Sequence, residues 1–142
     1  MVSQSWKIYA LGSALFAGLT AILGKIGVQG INSNFATFVR TVVILGVTSM
    51  LLTFRSEWQR MENLNTRSVL FLCLSGVATG LSWLCYYRAL QLGPASKVAP
   101  VDKLSVVFAI LLAAVFLGEK LTWTVLLGSG FIILGSLILV RG

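Results

Sequence analysis

Residues 95–122 read ASKVAPVDKLSVVFAILLAAVFLGEKLT. No residue between 104 and 117 is charged. The run from 95 to 117 is long enough to cross a bilayer, which takes about 20 predominantly apolar residues as a helix. Asp102 lies inside that run, with Lys103 directly after it and Pro100 before it; the other carboxylates of the chain, Glu57, Glu62 and Glu119, fall outside the apolar runs. A charge held in hydrocarbon costs about 3 kcal/mol on insertion scales, so a membrane chain that keeps one turns it toward a bundle interior or a wet cavity.

The same reading outward gives five spans, at about 6–28, 35–54, 68–90, 95–117 and 121–140. GINSN at 30–34, Gly93-Pro94 and Gly118-Glu119-Lys120 make short turns between them. Residues 55–67 form the hydrophilic loop, with Glu57, Arg60, Glu62 and Asn63. The expected fold is all-α: one transmembrane domain over 1–142, a bundle of five helices whose tight connections make antiparallel neighbours.

Composition supports a membrane chain. It is 57% hydrophobic with mean hydropathy +0.93, and 11% of its residues are charged, too few to cover a soluble domain. The net charge of +7 comes from basic residues at span edges, where they meet lipid headgroups and set topology rather than bind nucleic acid. Histidine is absent from the sequence, and no nucleophile motif or metal-ligand spacing stands out, so no enzyme, cofactor or metal is expected. Cys73 and Cys85 are about 18 Å apart along one helix and cannot bond to each other; they read as small buried apolar residues. The first run lacks a small-residue cleavage site and reads as a retained anchor.

Five spans place the termini on opposite sides. Lys7, Arg55, Arg60, Arg67 and Lys120 fall on the amino-terminal side; Lys25, Arg88, Lys97 and Arg141 fall on the other, with Arg40 and Lys103 deeper in. The positive-inside rule then puts the amino terminus in the cytoplasm. The margin is thin, and a chain so evenly balanced can insert both ways up.

The polar residues of the spans gather toward one membrane face: Lys25, Arg40, Trp83, Tyr86, Tyr87, Arg88, Asp102 and Lys103. On a regular helix Asp102 and Lys103 are about 100° apart and do not face each other, so each needs a partner elsewhere; Arg40, at similar depth, is the first choice for Asp102. Pro100 removes the helical bond to the Ser96 carbonyl and loosens span four beside the charged pair, as in helices that expose backbone to a substrate. The bland alternative is an internal ion pair that locks the bundle, with lysines reaching for the interface. Trp83 and Tyr87 share a helix face with Gly76 and Thr79 and read either as cavity lining or as interfacial belt. Gly76 and Gly80 form a small-xxx-small pair. In span five, Gly128 and Gly135 are seven apart, as are Ser129 and Ser136, a plausible interface between two chains.

The stretch YYRALQLGPASKVAPVDKLSVVFAILLAAVFLGEKLT at 86–122 resembles the second half of an EamA-type domain of the drug/metabolite transporter superfamily. AGLTAILGKIGV at 17–28 and Arg40 within FATFVRTVVIL resemble its first two spans, so the likeness covers essentially the whole chain. Many members carry a proline deeper in span four, near Val106 here; Pro100-Val101-Asp102-Lys103 stands in its place. Most such transporters resemble two of these domains in tandem, the second inverted because five is odd. The resemblance with one copy implies an antiparallel homodimer. The glycine spacing of span five also resembles the dimerising last helix of small multidrug-resistance exporters, whose embedded first-span acid this chain lacks.

The expectation is a multi-pass protein of the cell membrane, of bacterial or archaeal inner-membrane type. It would transport a small anionic or zwitterionic metabolite as an antiparallel homodimer by alternating access, among membrane lipids. Arg40, Trp83, Tyr86, Tyr87, Asp102, Lys103 and Lys25 would bind substrate or couple transport, and Gly128, Ser129 and Gly135 would pair the chains. The rivals are a lipid-headgroup flippase or its accessory subunit, and a non-transporting assembly protein whose charges fix packing.

Overall fold

The structure, a computed structural model, describes residues 5–60 and 64–142; Glu62 and Asn63 of the hydrophilic loop lie outside the described residues. The elements are α1 (Ser5–Gly27), α2 (Ser33–Arg55), α3 (Thr66–Leu92), α4 (Ala95–Asp102), α5 (Ser105–Leu112), a π-helical turn (Ala113–Leu117) and α6 (Trp123–Arg141). Among the described residues, five stretches are long and apolar enough to cross a membrane: Trp6–Gly27, Ser33–Arg55, Thr66–Leu92, Ala95–Leu117 and Trp123–Arg141. The all-α membrane fold read from the sequence is thus present, with span ends within about two residues of the hydropathy limits.

The ends follow from local chemistry. Asn32 caps α2, its side chain accepting from the backbone N–H of Asn34 at 2.8 Å and of Phe35 at 3.4 Å. Gly30, at φ 78°, supplies the left-handed step just before that cap. At the other end Ser56 takes φ 53°, and the Glu57 N–H reaches back to the Leu52 carbonyl, closing the helix in a Schellman-type turn. Thr122 caps α6 through a 3.4 Å bond from the Val125 N–H. Hydroxyls inside the spans bond their own helix, Thr37 to the Ser33 carbonyl and Thr41 to that of Thr37, both at 2.9 Å. They therefore carry no unmet polar group into lipid.

The fourth span is not one regular helix. α4 ends at Asp102, and the Leu104 N–H bonds the Val101 carbonyl at 3.0 Å in a tight turn before α5 starts. Pro100, inside α4, removes the bond to the Ser96 carbonyl one turn before that break. The π-helical turn ends the same span at Gly118, φ 69°.

Two compact units form, Met1–Ile26 with Leu92–Gly142, and Gly27–Gln91. In the first, α4 and α5 pack on α6. Lys25 donates to the Gly93 carbonyl at 2.8 Å, and Lys97 to the Val140 carbonyl at 3.2 Å, where the negative end of the α6 dipole favours a cation. In the second, the Gln91 amide nitrogen, near the end of α3, donates to the Ile31 carbonyl just before α2 at 2.9 Å. Arg88 in turn donates to the Gln91 amide oxygen at 2.6 Å. The spans bury little within the chain, at most 11% of the most apolar window of any of them, so their faces need lipid or another protein to cover them.

Candidate functional site

The Gln91–Ile31 bond sets the register of α2 against α3. Arg40 lies seven residues into α2, about 10 Å, and Trp83 eight residues back from Gln91, about 12 Å, so the two reach a common depth. There the Arg40 guanidinium lies 4.0 Å from the centre of the Trp83 ring and 5.4 Å from that of Tyr87. Trp83 and Tyr87 are four apart and stand one above the other on α3. Tyr87 is buried, 6% exposed, and Tyr86 meets it edge-on with ring centres 6.4 Å apart. Each cation–π contact is worth about 0.5–2 kcal/mol, more where water is excluded.

Among the described residues of the Gly27–Gln91 unit, Arg40 makes no hydrogen bond or ion pair. Its contacts within the unit are with the Trp83 and Tyr87 rings, which take up none of its N–H groups in a hydrogen bond. No buried side-chain nitrogen or oxygen lacks a hydrogen-bond partner among the described residues, so those N–H groups are reachable from outside the protein. A guanidinium stays protonated at any working pH. The arrangement is a fixed cation whose N–H groups could meet an anion.

The other charged pair sits elsewhere in the sequence reading's scheme. Asp102 and Lys103 pair with each other at 3.5 Å, which corrects the expectation that the two do not face each other and that each needs a distant partner. The 100° separation holds only inside a regular helix. Here α4 stops at Asp102 and Lys103 forms its end, so the two side chains swing together. The pair is half-open, its side chains 34% and 55% exposed, at the break in span four.

Lys25, expected near substrate, points its ammonium at the Gly93 carbonyl and pins the turn between α3 and α4. The small residues of α6 divide. Ser136 is buried and donates to the Pro100 carbonyl at 3.0 Å, so it serves its own chain rather than an interface between chains. Ser129 bonds the Val125 carbonyl at 2.7 Å and lines a groove with Gly128 and Ile110. At Gly128 and Gly135 a side-chain carbon would meet nothing within 4 Å. Sequence reasoning missed Gln91 and the acceptor role of Pro100. The one usable signal for the Arg40 stack was the spacing of Trp83 and Tyr87 at the depth of Arg40.

The model of the EamA-like transporter family matches residues 4–141. The chain belongs to the EamA-like transporter family. A Sinorhizobium sp protein named an uncharacterized transporter in the cobO 3′ region is 52% identical over 138 residues, 97% of this chain and 98% of that protein. No solved structure matches the chain. Membership of the EamA-like family and five apolar helices make this EamA-like chain a multi-pass membrane protein and a transporter.

Proposed function

We propose that this chain transports a small anionic or zwitterionic metabolite across the cell membrane, as an antiparallel homodimer working by alternating access. The carrying observation is Arg40: a permanent cation held against Trp83 and Tyr87, with no anion beside it among the described residues of the Gly27–Gln91 unit. A membrane span that holds an unpaired guanidinium gains most when a substrate supplies the negative charge.

Two further features support the reading. Span four is broken beside the Asp102–Lys103 pair, and broken spans let transporters change shape around a site. The open glycines of α6 and the uncovered faces of the spans suit a partner, and the near-balanced basic residues suit insertion in both orientations. The transporter-named relative is matched over 98% of its own length, so it is of the same size.

Counterflow in proteoliposomes tests the function. Vesicles loaded with unlabelled organic acids or amino acids should take up the labelled solute. Arg40→Gln should abolish uptake while the protein still reconstitutes. Uptake confined to cations, or undiminished in Arg40→Gln, would sink the proposal.

A further inference from the structure

We infer that the groove between α5 and α6 seats a phospholipid whose headgroup carries a primary ammonium, of the phosphatidylethanolamine kind. The groove lies wholly within the unit formed by Met1–Ile26 and Leu92–Gly142. Ile110, Val125, Gly128 and Ile132 line its body, and Glu119 and Lys120 line it at the turn between the last two spans.

Depth sets how an occupant lies. Span four ends at Leu117 and α6 starts at Trp123, so the charged turn sits at headgroup level. Trp123, largely exposed, is of the residue type that settles at that level. From Val125 to Ile132 the groove runs about 10 Å into the span. Ser129 also lines it, but its hydroxyl is engaged with the Val125 carbonyl, so the inner lining is apolar. The occupant is therefore charged at one end and apolar along the rest, as a lipid is. At about 280 Å³ the groove is too small to admit a helix, which is about 10–12 Å across, and suits the thinner body of an acyl chain.

Charge chooses the headgroup. Glu119 and Lys120 bring one carboxylate and one ammonium to the same groove, and the two are not paired with each other. A headgroup with one phosphate and one primary ammonium answers both: Lys120 donates to the phosphate, and Glu119 accepts from the lipid's N–H groups. A glycerol headgroup offers Glu119 no cation. A choline headgroup offers it a charge without an N–H donor.

Native mass spectrometry of the full chain counts the lipids retained from detergent supplemented with dioleoyl phosphatidylethanolamine, phosphatidylcholine or phosphatidylglycerol. The melting temperature is the control for folding. The ethanolamine lipid should be retained about tenfold better than the choline lipid, the scale of one charge-assisted hydrogen bond. Glu119→Gln should erase that preference. Gly128→Leu, which places a side chain in the groove, should lower retention of all three lipids several-fold; should it fail to fold, Glu119→Gln alone decides. Equal retention of ethanolamine and choline lipids by the wild-type chain would overturn the headgroup assignment, and retention unchanged in both variants would overturn the site. Loss of dimer in Gly128→Leu with lipid retention intact would give the groove to a second copy. Displacement of the lipid by an equal concentration of glycerophosphoethanolamine would give it to a soluble zwitterion, and either result would overturn the lipid.

Discussion

The Ser136 hydroxyl of α6 donates a 3.0 Å hydrogen bond to the Pro100 carbonyl of α4. That carbonyl is vacant because the Leu104 N–H, its regular helical partner, bonds Val101 instead. Ser136 thus answers the acceptor that the break in span four exposes, and holds the break in place. Ser136→Ala should leave the carbonyl unmatched, a cost of about 1–3 kcal/mol. The apparent melting temperature in detergent should fall by about 2–8 °C. Ser129→Ala is the control, since that hydroxyl bonds only its own helix, and should melt close to wild type. Equal melting of the two variants would remove the lock.

Asp102→Asn tests the charged pair. It leaves the Lys103 ammonium without its carboxylate at the break in span four. Counterflow should drop by about tenfold or more, the size of one lost charge-assisted contact, while the protein still reconstitutes. Normal counterflow in Asp102→Asn would show that the pair only fixes packing.

Trp83 carries the guanidinium through its ring face. Trp83→Phe keeps a face, and Trp83→Leu removes it. Loss of one cation–π contact, about 0.5–2 kcal/mol, corresponds to about a 2- to 30-fold weakening. The apparent transport affinity for a carboxylate should therefore fall in the order wild type, Phe, Leu. Leu and Phe behaving alike would mean that shape rather than the ring face matters.

These outcomes bear on what the sequence could disclose. Span positions were legible because twenty apolar residues in a row have few other uses, and each span ended near its hydropathy limit. The polar residues were legible as a set, since charge in hydrocarbon is rare. Their pairing was not. Sequence spacing assumed a regular helix at 102–103, and the helix stops there, so Asp102 and Lys103 meet. Arg40 meets the rings of α3 because a Trp and a Tyr one turn apart offer a face that the register of α2 and α3 brings to it. That register rests on the Gln91–Ile31 bond, a side chain to a backbone carbonyl, which no residue pattern announces. Of the serines read as an interface stripe, Ser136 turned inward because only a broken neighbour helix gave it an acceptor.

The glycines of α6 make a separate prediction. A side-chain carbon added at Gly128 or Gly135 meets nothing within 4 Å. If these positions form the face between two copies, Gly135→Leu should reduce cross-linked dimer by several-fold in the membrane without lowering the melting temperature, since the side chain would intrude only on a partner. Unchanged cross-linking would place the interface on another helix.

The central claim is that one kind of chain supplies both inverted halves of a transporter. A single reporter cysteine near the amino terminus, in a variant with Cys73 and Cys85 replaced by Ala, is labelled by an impermeant thiol reagent from each face of the membrane. The account predicts labelling from both faces in comparable amounts. Labelling from one face alone would mean that every chain points the same way, and would contradict the antiparallel homodimer.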